Sequence, residues 1–174
     1  MPPQLTERIY VLGGHDGANI VGNVLATGDG VAYTNVATLP VPVRYPALAV
    51  LGKAIYLFGG VASTNGTDTA AIQRLGTTTG RIEIVGHLPT TLSHASAVVL
   101  GNQAYLLGGY VNSVQLSDQI LRFDPATGTA TPAGHLPEPN SDAAAIVVNG
   151  VGYLVGGKST ARNPLSTVLA LAIP

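Results

Sequence analysis

A six-residue phrase recurs four times along this chain, and it restricts the fold more than any other feature. It reads Ile9-Tyr10-Val11-Leu12-Gly13-Gly14, then Ile55-Tyr56-Leu57-Phe58-Gly59-Gly60. It returns as Ala104-Tyr105-Leu106-Leu107-Gly108-Gly109 and as Gly152-Tyr153-Leu154-Val155-Gly156-Gly157. The first glycines of successive pairs stand 46, 49 and 48 residues apart. A period in the forties built on a short apolar run means stacked β units, none of which can bury its apolar face alone.

Each phrase reads as a buried strand closed by its glycine pair, where a Cβ would clash or φ must be positive. Three of the phrases follow a second apolar run, at 47–51, 95–100 and 143–148, across the tight turns Gly52-Lys53, Gly101-Asn102 and Asn149-Gly150. Asn/Gly pairs between apolar runs are hairpin signals. A polar loop of variable length comes next, then a third strand at 20–26, 70–75, 119–123 and 167–171. Asp124-Pro125-Ala126-Thr127-Gly128 is a turn in which proline presets φ and glycine supplies the positive φ. A fourth strand ends at Leu39-Pro40, Leu88-Pro89 and Leu136-Pro137, because proline removes a ladder donor. The unit is therefore four antiparallel strands, a to d, and no stretch shows a capped helical period. Such an all-β repeat arranges radially into a propeller.

These residues resemble the kelch repeat family over nearly the whole chain. The likeness runs through the hydrophobic strand, the Tyr…Gly-Gly phrase, the variable loop, the Asp-Pro turn and the Leu-Pro stop. It implies a β-propeller of four-stranded antiparallel blades with strand a innermost, in repeats at about 7–40, 41–89, 90–137 and 138–174. The family usually carries a tryptophan in strand d. Tyr33, Ile82 and Ala130 stand there instead, which implies looser packing between blades.

The first unit has no room for strand a and the fourth stops before strand d, so two repeats are complete and two incomplete. A complete kelch ring usually has about six to eight blades, so four make roughly half of one. Three arrangements remain open: a piece of a longer propeller, a homodimer completing a ring, or an unusually small closed ring.

Composition excludes several function classes. Charged residues are 10% of the chain, the net charge is −1 and the cations are dispersed, which argues against nucleic acid as a partner. No apolar run approaches the roughly 20 residues of a membrane-inserted helix. The first seven residues have neither the basic nor the apolar region of a secretory leader. With no cysteine there is no thiolate metal site and no cysteine nucleophile.

The titratable residues give few catalytic patterns. His87 and His135 recur in Gly-His-Leu-Pro, as expected of residues that pack or cap the repeat. No zinc-binding His spacing appears, so no metal and no cofactor is expected. Asp16, Asp68 and Asp142 stand at loop or strand-start positions, and spacing alone does not fix whether they share a rim. Asp124 and Asp118 read as structural, and Ser93 and Ser141 open strand a. There is no serine-hydrolase elbow, and the glycine pairs are not phosphate loops because no helix follows them.

The resemblance places the b–c loops (15–19, 61–67, 110–114, 158–163) and the d–a loops (41–44, 90–93, 138–141) on one face, which in this family often binds partners. Arg44 matches an arginine that many kelch repeats set just before strand a, aimed at the central rim. His15, Asp16, His94, Tyr110, Asn112, Asn140, Lys158 and Arg162 complete the candidate binding residues. Tyr10, Tyr56, Tyr105, Tyr153 and the four glycine pairs form the structural repeat. The function expected is a recognition module for a protein, peptide or glycan. The alternatives are a sugar-active enzyme similar to sialic-acid mutarotases, which would need a polar pocket at the ring centre, or a fragment without activity apart from its parent chain. The copper chemistry of galactose oxidases needs a cysteine-modified tyrosine, which a cysteine-free chain cannot form. The alanine- and valine-rich, charge-poor composition resembles bacterial kelch proteins of the cell envelope.

Overall fold

A computed structural model describes residues 8–159 and 163–171, and every regular element among them is a strand. The first blade pairs β1 (Ile9–Leu12), β2 (Asn23–Thr27) and β3 (Thr34–Thr38). The second pairs β4 (Ala47–Leu51), β5 (Ala54–Phe58), β6 (Ala71–Gly76) and β7 (Ile82–His87). The chain then forms the short β8 (Leu92–Ser93) and enters the third blade through β9 (Ser96–Leu100) and β10 (Gln103–Leu107). Two more short strands, β11 (Tyr110–Val111) and β12 (Gln115–Leu116), precede β13 (Gln119–Asp124) and β14 (Thr129–His135). The fourth blade pairs β15 (Ala144–Val148), β16 (Val151–Val155) and β17 (Val168–Leu171). All pairings are antiparallel and follow chain order from inner to outer strand. Blades of three, four, four and three strands match the expected architecture.

The glycine pair turns out to be the joint between blades. The first glycine hydrogen-bonds strand c of its own blade, as in Gly59 N–H to Ala71 O at 3.0 Å. The second reaches the following blade: Gly14 N–H donates to Val43 O at 2.9 Å, Gly60 to Leu92 O at 2.7 Å and Gly109 to Asn140 O at 2.8 Å. Those same carbonyls, of Val43, Leu92 and Asn140, fill the space that a Cβ on Gly13, Gly59 or Gly108 would need. The first glycine also takes a positive φ, +63° at Gly59 and +65° at Gly108. Close approach and backbone conformation therefore both require glycine here.

Apolar clusters fill the spaces between neighbouring blades. Val24, Leu39, Ile55, Leu57 and Leu75 pack between the first and second. Tyr56, Phe58, Ile72, Leu106 and Phe123 pack between the second and third. Val98, Leu100, Tyr105, Ile120 and Leu154 pack between the third and fourth. In place of the missing tryptophan, aromatic mass in the central cluster comes from strands b and c. Phe58 and Phe123 are fully buried and meet edge-on with centroids 4.9 Å apart. Gln73, also fully buried, accepts from Val41 N–H and donates to Val41 O, both at 2.9 Å, and so clamps a d–a loop.

Two readings of the sequence need correction. The third strand of the first unit starts at Asn23, not residue 20. Val21 N–H turns back to Gly14 O and Ile20 bridges His15, which draws residues 20–21 into the rim. His87 and His135 are exposed rather than packed; the leucines after them are buried, Leu88 at 4% and Leu136 at 8% exposure, and His135 meets Asp118 at 3.1 Å. The c–d pairs share a feature that periodicity does not announce. Their register shifts at Val24/Leu25, Ile72/Gln73 and Ile120/Leu121, so a β-bulge recurs at one position in three blades.

Candidate functional site

The segments expected as plain loops carry a small sheet of their own. In the third blade β8, β11 and β12 pair, with Tyr110 opposite both Ser93 and Leu116. The second blade repeats the arrangement as Arg44–Val61–Asp68, and the fourth as Ser141–Lys158–Pro164. The middle member is always the residue after the glycine pair. The residue opening strand a lies beside it, and its own successor departs from the strand backbone.

Those successors are Tyr45, His94 and Asp142, each 14 residues before the first glycine of its blade. All three adopt a left-handed backbone, with φ of 56°, 55° and 56°. They are joined main chain to main chain: His94 N–H donates to Tyr45 O and Asp142 N–H to His94 O, each at 3.0 Å. A non-glycine residue in this region costs about 1–2 kcal/mol, and three equivalent instances on one rim mark a built feature.

Their side chains form a continuous stripe. The Arg44 guanidinium lies 5.4 Å from the Tyr45 ring centroid, and the Tyr45 ring stacks on His94 at 4.3 Å. Tyr110 meets His94 edge-on at 5.6 Å. His94 Nδ1–H donates to Asp142 Oδ1 at 2.7 Å, and Lys158 Nζ donates to Asp142 Oδ2 at 3.2 Å. Burial works against the Asp142 carboxylate, but the His94 hydrogen bond and charge, with Lys158, outweigh it and hold its pKa below the ordinary value.

The stripe borders a cavity of about 680 Å³ that Arg44, Asp68, Ser93, His94, Tyr110 and Lys158 help to line. Asp68 is 5% exposed, and desolvation pushes its pKa up against the pull of the Ser93 and Ser113 hydroxyls. Ser113 Oγ accepts from Asp68 N–H at 2.9 Å, so the third blade's loop reaches over the second. Asp68 Oδ2 and Arg44 Nε are buried, and neither finds a partner among the described residues.

Of the residues chosen from sequence, Arg44, His94, Tyr110 and Lys158 come together here. Asn112 is exposed on the loop that carries Ser113. His15 and Asp16 lie outside the cavity lining and organise their own loop. His15 Nδ1 accepts from Gly17 N–H at 3.1 Å, and Asp16 Oδ1 accepts from Ala18 and Asn19 N–H at 2.9 and 2.7 Å. Those two amides, Asn19 foremost, hold the Asp16 carboxyl below its ordinary pKa. Asn140 is not a surface residue. It takes the buried place of Val43 and Leu92 at the inter-blade joint, is 2% exposed, and donates from Nδ2 to Gly156 O at 2.9 Å. Arg162 lies outside the described residues. Tyr45 was not singled out from sequence; its constant offset from the glycine pair was the available signal.

Residues 91–129 match the Kelch motif. No curated protein matches the sequence. Among solved structures, one titled "Structure of YjhT", a kelch-type propeller, superposes with a TM-score of 0.77 over 98% of this chain at 16% identity. The match covers 64% of that protein's chain, so the present chain spans less than two thirds of its length. At that identity the likeness concerns the fold. The motif, the superposition and the blade count agree on the fold: among the described residues the chain is a run of four kelch-type β-propeller blades, two four-stranded and two three-stranded.

Proposed function

We propose that this chain is a non-enzymatic recognition scaffold that binds a protein, peptide or glycan in the rim cavity. One observation carries the reading: three consecutive blades hold Tyr45, His94 and Asp142 in the same costly backbone state at the edge of one polar cavity. Rigid strands fix these positions while the loop sequences differ, as a scaffold with variable contacts requires. Kelch blades support an interaction role in general; the ligand class is our inference. The test is binding of the whole chain to glycan and peptide arrays, with Arg44→Ala plus Tyr110→Ala as the paired variant. The reading expects ligands that bind the parent chain and are lost by the variant. Ligands retained equally by both chains would remove the rim from consideration.

A second reading, a sugar-active enzyme similar to mutarotases, draws on the His94–Asp142 pair at 2.7 Å beside the buried Asp68 carboxyl. Paired proton donors and acceptors in a cleft suit acid–base work on a sugar hemiacetal. NMR measurement of anomer exchange, with and without the protein, decides it: equal rates leave the scaffold alone.

A further inference from the structure

We propose that the rim cavity takes a neutral sugar ring, two of whose hydroxyls bridge Asp68 Oδ2 and the Arg44 Nε–H. This rests on the reading of the cavity as the binding site and adds the ligand's chemistry.

The first support is a pair of unmet groups. Arg44 and Asp68 lie opposite the same residue, Val61, in one small ladder. Residues directly opposed in antiparallel pairs project from the same side of the sheet. One offers a buried donor without an acceptor, the other a buried acceptor without a donor, among the described residues. Buried polar atoms are nearly always partnered in the working state, so such a pair calls for a ligand carrying both functions.

The second is the charge balance. Lys158 and His94 both pair with Asp142, at 3.2 and 2.7 Å, which leaves Arg44 and Asp68 as the lining's other charged side chains, neither in an ion pair among the described residues. An anionic ligand on Arg44 would be brought up against Asp68, and a cationic ligand on Asp68 against Arg44. A neutral group that both donates and accepts meets neither repulsion. A sugar diol has this property, and the hydroxyl-bearing residues Ser93, Ser113 and Tyr110 also line the cavity. A partner inserting an aliphatic side chain would meet Val61 and Val114 as the aliphatic residues among the described lining, against a wall otherwise polar or aromatic. The guanidinium is also pre-positioned, since the Tyr45 ring holds it at 5.4 Å.

The experiment is saturation-transfer NMR with calorimetry on the full chain. The probes are D-glucose, D-galactose and D-mannose, with N-acetylneuraminate as the acidic comparison. At least one neutral hexose should bind, and more tightly than the acidic sugar. Asp68→Asn and Arg44→Gln should each weaken it roughly tenfold to a hundredfold, the loss expected for a hydrogen bond to a charged group. Arg44→Lys, which keeps the charge and removes the Nε–H, provides a second variant if Arg44→Gln does not fold. Binding of none of the hexoses, or tighter binding of N-acetylneuraminate, overturns the proposal. If, in addition, array peptides bind and are lost by Arg44→Ala plus Tyr110→Ala, the rim remains the binding face and only the sugar falls. Hexose binding that survives Asp68→Asn and the paired rim variant overturns both readings together.

Discussion

His94 and Asp142 occupy the same position in consecutive blades. They share a left-handed backbone, a main-chain hydrogen bond of 3.0 Å and a side-chain contact of 2.7 Å across 48 residues of sequence. Their backbone cost and their contact can be separated experimentally. His94→Ala loses the imidazole and keeps the strained φ, whereas His94→Gly loses the imidazole and relieves it. The glycine variant should be the more stable by about 1 kcal/mol in urea denaturation, with ligand binding weakened in both.

The two cavity carboxyls should give opposite pH signatures. Asp142 has a lowered native pKa, so its stabilisation is complete above the unfolded value of 3.8 and is lost as pH falls through the native one. Asp68 has a raised native pKa, so stability declines as pH rises from 3.8 through the native value. Denaturation from pH 3 to 7 should show Asp68→Asn stabilised at pH 7, with the gain vanishing toward pH 3. Asp142→Asn should instead lose stability at pH 7 and converge on the parent in acid.

The glycine joint predicts a difference between repeats. Gly59→Ala and Gly108→Ala each drive a Cβ into a carbonyl of the next blade, beyond the cost of the positive φ. Gly156 has the same φ region, but its nearest obstacle is Leu165 O at 3.3 Å. Gly156→Ala should therefore cost about 1–2 kcal/mol, and the other two distinctly more. Equal losses at all three in chemical denaturation would remove the joint as the explanation.

Gln73→Leu preserves bulk and strands both main-chain groups of Val41. The expected loss is about 1–3 kcal/mol, read as a shift in urea midpoint without a change in slope.

The face of the fourth blade turned away from the third is apolar and exposed among the described residues, with Ile146 at 57%, Val148 at 46% and Val168 at 61% exposure. Such a patch favours association. Light scattering should show mass rising with concentration, and Ile146→Lys with Val168→Lys should suppress both that rise and dye binding without lowering the unfolding midpoint.

The blade count and the strand order were legible because both follow from local patterns: apolar runs of strand length, Asn/Gly turns and proline stops. The rim sheet was not, since its strands are two residues long and carry no periodicity. Asp68 and Asp142 were visible as loop carboxylates, but which of them meet depends on blade-to-blade geometry. Asn140 was misplaced because a polar residue in a loop reads as solvated. Its equivalents Val43 and Leu92 show that the position belongs to the core, and aligning the repeats on the glycine pair would have said so.

Because the first three blades each grip the next through peptide groups at the glycine pair, that part of the coupling between units does not depend on side-chain identity, whereas the apolar clusters between blades do. A repeat duplicated or exchanged with another of its kind would find the same backbone joint waiting and would need only its apolar faces matched to its neighbours. Such an array can lengthen, and can vary its loops, without renegotiating how its modules fit.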